Sequence, residues 1–332
     1  MTNASTPSPE KIMQLISGGW AASILGSAAK HDVFAALENG GTADSVSKHC
    51  GISKRGAQAV LDGVTGLGLA VLKDGKYTAS PEAAAFLVKG KPAYVGAMAE
   101  VMTGSLVDWA TLPEAVKTGK PTASKTAEDA DNEFWHILVP AIAAMSFPVA
   151  KQAAERLNIA KAGKISWLDV GGGSGVWSAV WLGQNQVAQG TQLDWPNVNK
   201  IAKGFVGDFG VADRFSTIDG DFHTTDFGKA RYDFAIYGHI AHQESPESNV
   251  AIFKKFRKAL KPGGTLLVND FVLDAERKGH PFAMMFASQM LLVTKEGNAW
   301  RRPDYVEWLN AAGFKSVDFM PTQGPATVVF AN

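Results

Sequence analysis

A single cysteine, Cys50, stands among 332 residues. One thiol makes neither an internal disulfide nor a multi-thiolate metal site, which fits a reducing compartment. Net charge is missing as well, since 32 Lys and Arg balance 32 Asp and Glu. A chain built to hold nucleic acid carries a basic excess, so no nucleic-acid partner is expected. Carboxylates are not clustered at the spacing of a divalent-cation site, so no metal is expected either. Long apolar runs are absent: the longest, Val139 to Ala150, is interrupted by Pro140, Ser146 and Pro148. It falls short of the roughly 20 residues that span a bilayer. The opening MTNASTPSPEK has no basic stretch followed by an apolar core, so no signal peptide is expected. The expectation is a cytoplasmic protein with no membrane partner.

What is present is an ordinary globular composition, 46% hydrophobic and 19% charged, which excludes disorder as a description of the whole. The length suits two domains. From Lys11 to about Leu37 apolar residues recur at three- and four-residue spacing, a helical pattern that Asn39-Gly40-Gly41 stops. Thr42 and Ser53 each stand where a side-chain oxygen caps a following helix. LAVLKDGKYTAS reads as two short strands around an Asp-Gly turn. Three helices and a hairpin make the plan of a winged helix, expected over residues 1–100. Residues from about 81 to 160 read as mostly helical, with one Pro/Thr/Ser-rich break, GKPTASKTAEDAD, and 101–160 is the expected helical linker and acceptor-pocket segment. Beyond them strand-like runs alternate with helices: 165–170, 190–195, 214–222, 232–238 and 264–273, with two antiparallel strands at the end. That alternation predicts an α/β domain over 101–332, with a doubly wound, mostly parallel sheet.

The sharpest local signal is LDVGGGSGVWS, residues 168–178. A buried strand ends in glycines and a helix begins, which lets backbone pass close beneath a ligand. Counted from Gly171, the sixth position is Val176, and counted from Gly173 it is Ser178. The dinucleotide fingerprint is therefore not met. The tighter Gly171, Gly173, Gly175 spacing, preceded by Asp169, is the pattern of S-adenosylmethionine (SAM) enzymes. SAM has no pyrophosphate to cradle, and Asp169 would sit near its amino acid moiety. Asp194 follows 19 positions after Gly175, where an acid at a strand tip accepts from ribose hydroxyls. Asp221 and Phe222 close the next strand and would suit an adenine amino group and its flat face. Taken singly, each has a plainer alternative: a structural glycine turn, a helix cap at Asp194, a turn residue at Asp221.

With these marks in place the chain resembles the small-molecule O-methyltransferases of the caffeate and hydroxyindole type. The resemblance runs from about Ile12 to Phe330 through ASILGSAAKHDVFAAL, GLGLAVLKDGKYTAS, WATLPEAVKTGKP, LDVGGGSG, LDWP, GDF, HIAHQESPE, LKPGGTLLVNDFVLD and YVEWLNAAGF. It implies a winged-helix dimerisation domain, a seven-stranded Rossmann-like SAM domain and a homodimer. SAM would be consumed and S-adenosylhomocysteine formed. It also implies that His242 is the catalytic base, and the chemistry agrees: a phenol of pKa about 10 is protonated at neutral pH, and an imidazole is suited to take its proton. A hydrogen-bonded strand-end histidine is the plainer alternative. Asp270 falls where plant members place an acid that orients the histidine. His239 and Gly238 fall on the cofactor side. Three positions depart from the plant pattern: Gln243 replaces an acid, Gly238 stands where a cofactor-contacting lysine is common, and Ala299 stands near a second orienting acid, with Glu296 the nearest carboxylate.

For the acceptor wall, Trp135, Met145, Met285 and Met290 are selected from a set of aromatic and methionine residues that would equally suit a plain core. Carbon and nitrogen acceptors remain open at this stage, as does a SAM-binding enzyme of another reaction. A winged-helix DNA-binding regulator is the rival from another class. Residues 1–100 carry nine basic and eight acidic side chains, and SKRGAQAVLDGVTGLG suits packing better than phosphates.

Overall fold

The computed structural model describes residues 7–91, 93–123 and 134–332. The chain divides into two compact units, one ending at Val107 and one beginning at Asp108. No single described helix is long and apolar enough to cross a membrane.

In the first unit the helical pattern after Lys11 is realised as two helices, α1 (Glu10–Ile16) and α2 (Gly18–Lys30), bent by 46°. The break has a local cause. The Ser17 hydroxyl donates to the carbonyls of Met13 and Gln14, both at 3.1 Å, and Gly18-Gly19 after it are poor helix formers. Thr42 caps α3 (Ala43–Cys50) and Ser53 caps α4 (Lys54–Gly66), each accepting from a backbone N–H three residues on. The hairpin β1 (Ala70–Lys73) and β2 (Lys76–Ala79) turns at Asp74 and Gly75, both at positive φ. α5 (Pro81–Phe86) and α6 (Gly96–Gly104) complete the unit. Ala57, Leu61 and Val64 of α4 share one face and pack with Phe34, Leu37, Val46 and Tyr77. On α1 and the start of α2, Ile12, Met13, Leu15, Ile16 and Trp20 are exposed.

After a short turn, α7 (Leu106–Trp109), the second unit contains α8 (Leu112–Thr118) and the long α9 (Phe134–Arg156) before the sheet begins. Seven strands follow: β3 (Ser166–Val170), β4 (Gln189–Asp194), β5 (Phe215–Asp219), β6 (Tyr232–Gly238), β7 (Leu260–Asp270), β8 (Val317–Pro321) and β9 (Thr327–Ala331). Their order is β5-β4-β3-β6-β7-β9-β8, parallel except that β9 runs antiparallel to both of its neighbours. The chain winds outward from β3 to β5, then returns to lay β6 on the other side of β3. The carboxyl ends of β3, β4 and β6 thus border a crevice at a topological switch point.

Helices cover both faces of this sheet. One core joins Leu168, Tyr237 and Leu266 to α12 (Pro246–Ala259) and α14 (Arg302–Ala311), through residues such as Phe253, Phe256 and Leu309. The other joins Trp167, Ile236 and Leu267 to α9 and α10 (Val176–Gln184), through Ala150, Val180 and Trp181. α11 (Pro196–Asp208) follows β4, and α13 (Pro281–Val293) lies beyond β7.

Candidate active site

The glycine loop is held by the groups around it. Gly171, Gly173 and Gly175 have φ of +66°, +57° and +74°, in the left-handed region that disfavours a side chain. At Gly175 a Cβ would also lie 2.9 Å from Val206 of α11. Gly172, which the spacing argument passed over, is constrained differently: a Cβ there would come within 2.8 Å of the Asp169 carboxylate and 2.5 Å of Gln192 Oε1. The loop is therefore pressed onto two buried polar side chains.

Those side chains are incompletely satisfied. Asp169 Oδ2 and Gln192 Oε1 are buried and have no hydrogen-bond donor among the described residues. Burial, with Asp194 nearby, pushes the Asp169 carboxyl up to about 8. Gln192 donates to the carbonyl of Gly173 at 3.1 Å and to Asn199 Oδ1 at 3.2 Å, which leaves its oxygen facing the loop. Gln192 was not singled out from the sequence, since no short motif marks a buried strand amide whose oxygen is left unsatisfied. Asp194, at the tip of β4, accepts from the N–H of Gly173 at 2.9 Å and of Trp195 at 2.8 Å. Burial pushes its carboxyl up to about 6, against the pull of those two donors.

Asp221 and Phe222 lie beyond the end of β5, not in it. The strand stops at Asp219 because the chain turns: the N–H groups of Thr224 and Thr225 donate to the Asp221 carbonyl, and that of His223 to its Oδ1 at 2.8 Å. Phe222 packs edge-on to Tyr237, with ring centroids 6.3 Å apart. Gly238 ends β6 with room for a side chain, since the nearest atom to a Cβ would be Trp177 Nε1 at 3.7 Å. His239 takes φ of +57°. Its N–H donates to the Asn269 carbonyl at 2.8 Å, and its Nε2 lies 3.0 Å from Asn269 Nδ2. Desolvation lowers its pKa to about 4, so the ring is neutral at physiological pH.

His242 sits in a 3-10 turn, Ala241–Gln243, and is 5% exposed. Its Nδ1 is 2.6 Å from Asp270 Oδ1, and its backbone N–H donates to Asp270 Oδ2 at 2.9 Å. Burial raises the Asp270 pKa, but the His242 imidazole, His239 and the Phe271 N–H together outweigh it and the net shift is downward. An ionised carboxylate only accepts, so Nδ1 carries the proton and Nε2 presents its lone pair. The turn is pinned from outside: Trp300 Nε1 and Asn249 Nδ2 both donate to the Ala241 carbonyl, and Asn298 N–H to that of His242. His239, His242 and Asp270 also offer three ligand atoms within 4.8 Å of one another. The two Asp270 oxygens are, however, already engaged by His242, by the N–H of Phe271 at 2.8 Å and by the Tyr305 hydroxyl at 3.1 Å.

The wall beside His242 is aromatic. The Phe286 ring meets it edge-on at 4.8 Å, Phe271 is stacked at 6.1 Å, and Phe282 lies against both phenylalanines. Phe282 and Phe286 are one helical turn apart on α13, a signal the methionine-centred reading missed. Of the four residues selected for the wall, the three whose side chains are described do not share one surface. Met290 is 3% exposed within the Phe271 and Phe286 cluster, whereas Met285 is 63% exposed, because five residues along a helix turn the side chain well away from the first. Met145 is exposed on α9, and the side chain of Trp135 lies outside the described residues. Ala299 is fully buried beside Phe271 and Phe286, and Glu296 is exposed.

These groups fit SAM. Its ammonium group needs buried acceptors, and Asp169 Oδ2 and Gln192 Oε1 are two without donors. Each Asp194 oxygen retains a lone pair for a ribose hydroxyl. The glycine backbone supplies the close approach.

Comparison with known proteins follows the same line. The model of the O-methyltransferase domain matches residues 110–315, more than half of the chain. The 3-hydroxy-5-methyl-1-naphthoate 3-O-methyltransferase of Streptomyces sahachiroi is 29% identical over 93% of this chain and 90% of its own. The tetracenomycin polyketide synthesis 8-O-methyl transferase TcmO of Streptomyces glaucescens is 29% identical over 96% and 95%. Human N-acetylserotonin methyltransferase, solved in complex with SAM, superposes with a TM-score of 0.85 over 100% of this chain and 99% of its own, at 20% identity. A family match of that extent, on a site whose unsatisfied acceptors suit SAM, places the chain in the SAM-dependent O-methyltransferase family.

Proposed function

We propose that this enzyme methylates a hydroxyl of a small, planar aromatic acceptor, with His242 as general base and Asp270 fixing its tautomer. The observation that carries the reading is the 2.6 Å contact between Asp270 and His242 Nδ1 at the crevice mouth. It leaves Nε2 as the one basic atom of the pair turned away from the carboxylate. The phenylalanines beside the imidazole suit a flat ring, and the naphthoate and tetracenomycin relatives are named for acceptors of that kind.

Bound SAM supplies an electrophilic sulfonium methyl. The protein's part is alignment and proton removal. Asp169, Gln192 and Asp194, with the glycine loop, would hold the amino acid and ribose portions. Asp221, Phe222, Gly238 and His239 would line the remainder of the cofactor site. Phe271, Phe282 and Phe286 exclude water and present one face to the acceptor. Nε2 of His242 accepts the hydroxyl proton, and the imidazolium so formed is stabilised by ionised Asp270. The neutral ring of His239 places no second positive charge there.

We further propose a cytoplasmic homodimer formed through the first unit. Exposed Ile12, Leu15, Ile16 and Trp20 form an apolar surface suited to a second copy. Leu15→Glu with Ile16→Glu is expected to give a monomer by light scattering.

The test is incubation with methyl-labelled SAM and a panel of phenols, aromatic carboxylic acids and tetrapyrroles. Mass spectrometry would locate the label on oxygen, carbon or nitrogen. The expected product is an aryl methyl ether. With 1-naphthol or the best phenol found, His242→Ala is expected to lose a factor of about 10²–10⁴ in kcat, with SAM affinity within twofold. An unchanged kcat removes His242 as the base.

A further inference from the structure

We propose that Tyr305 is a positioning residue for the His242–Asp270 pair: its hydroxyl engages Asp270 Oδ2 and so reserves Oδ1 for the imidazole. The inference rests on the reading of His242 as base.

The accounting at the carboxylate is complete. Oδ1 receives the His242 Nδ1–H and the Phe271 N–H; Oδ2 receives the His242 N–H and the Tyr305 O–H. Each oxygen thus has one backbone donor and one side-chain donor. Without Tyr305, Oδ2 keeps a single donor and the carboxylate can rock about its Cβ–Cγ bond. Tyr305 is fully buried, and burial beside Asp270 holds its phenol protonated far beyond physiological pH. It therefore remains a neutral donor through the whole catalytic range.

Its element is anchored to the same strand. The N–H of Arg302 donates to the Leu273 carbonyl at 2.8 Å, and the N–H of Leu273 to the Trp300 carbonyl at 2.9 Å. The first turn of α14 is closed by Arg301, whose N–H and guanidinium both donate to Asp304. The phenol is thereby referenced to the segment that extends β7 past Asp270. Ala299, near the position where the resemblance implies a second orienting acid, carries no polar side-chain atom and is buried among apolar residues. Among the described residues, the only side chains donating to Asp270 are His242 and Tyr305.

Among the described residues, the other titratable groups around the pair and Tyr305 are His239 on the segment after β6, Tyr237 within β6, Glu244 after the turn, and Asp304 of α14, which is paired with Arg301. α13 presents Phe282 and Phe286. The 294–300 segment meets the turn through Gly297, Asn298 and Trp300. A tyrosine hydroxyl on Oδ2 draws charge away from Oδ1. Its removal concentrates charge on the oxygen facing the imidazole and favours the imidazolium.

The test is Tyr305→Phe in the full-length protein, read first by NMR titration of the labelled His242 ring. The resonance is assigned by its loss in His242→Gln. The midpoint is expected to move up by about half a pH unit, and the melting temperature serves as the control for a merely structural role. With 1-naphthol or the best phenol found, the acid limb of kcat/KM should move with it, kcat should fall three- to tenfold and the KM for SAM should hold. A midpoint that stays in place or moves down overturns the proposal. If Tyr305→Phe does not fold, replacing all five tyrosines by 3-fluorotyrosine makes the hydroxyl a stronger donor. The midpoint should then move down, and its failure to do so overturns the proposal. An active His242→Ala enzyme would reject the base reading, whereas an inactive one alongside an unshifted Tyr305→Phe titration would reject only the role of Tyr305.

Discussion

Two buried aspartates at the carboxyl ends of strands in one sheet have opposite fates. Asp169 on β3 has an oxygen with no donor, and its carboxyl is pushed up to about 8. Asp270 on β7 is just as buried, yet it receives four donors and its pKa is drawn down. Burial is common to both, so it does not decide the charge. The neighbours do: the His242 imidazole leads in drawing Asp270 down, whereas Asp169 has a second carboxylate, Asp194, beside it. A carboxylate completed by the fold is held in one orientation. One left incomplete is suited to a group that arrives from outside.

The comparison can be broken at either end. The largest effect is expected at Asp270. Asp270→Asn leaves one acceptor oxygen for four donors and no negative charge beside the imidazole, and kcat should fall by about a hundredfold or more, measured with labelled SAM. A loss of less than tenfold would mean that the carboxylate does not set the proton's place on the imidazole.

Asp169→Asn should leave the fold intact, because the native group is already neutral near pH 7. SAM affinity should fall about 10- to 100-fold, the worth of one charge-assisted hydrogen bond of about 1.5–3 kcal/mol. The pH dependence sharpens the contrast. The folded value of about 8 lies above the ordinary 3.8, so the ligand-free protein should lose stability as pH rises from about 4 through 8. Asp169→Asn should remove the part of that slope between about pH 6 and 8 in thermal melts, while Asp194, raised to about 6, keeps a share below it. Calorimetry in buffers of different ionisation enthalpy should show SAM binding at pH 7 releasing up to one proton from the native protein, and none from this position in the variant. No buffer dependence in the native protein would mean that Asp169 does not ionise on binding.

The smallest effect is expected at Gly175→Ala. Its φ of +74° and the 2.9 Å approach to Val206 should cost about 1–3 kcal/mol of stability. A chemical denaturation curve checks this, and an unshifted midpoint would mean that the loop relaxes freely.

Much of this was legible in the chain. Changes of period marked the passage from helices to alternating strands, and caps at Thr42 and Ser53 marked helix starts. The glycine spacing, Asp169 and Asp194 marked one side of the candidate site, and the resemblance supplied His242 as the proposed base and Asp270 as its proposed partner. What stayed hidden depends on rotation and distance. Met285 and Met290 look equivalent on paper, yet one is exposed and the other enters the core. Asp221 reads as strand, but two backbone donors close a turn on it. Tyr305 lies 35 positions from Asp270 and meets it only after α14 has docked. No short motif encodes such a meeting.

The insertion of β9 between β7 and β8 has a consequence for synthesis. All five of its residues are buried, and it supplies the outer neighbour of the strand that bears Asp270, pairing Thr327 with that residue. While the ribosome is still adding residues 327–331, β7 has an open edge that can pair with another nascent chain. Vectorial folding of this unit therefore leaves the surroundings of Asp270 for last, and a premature stop even a few codons before Ala331 should yield an aggregating product.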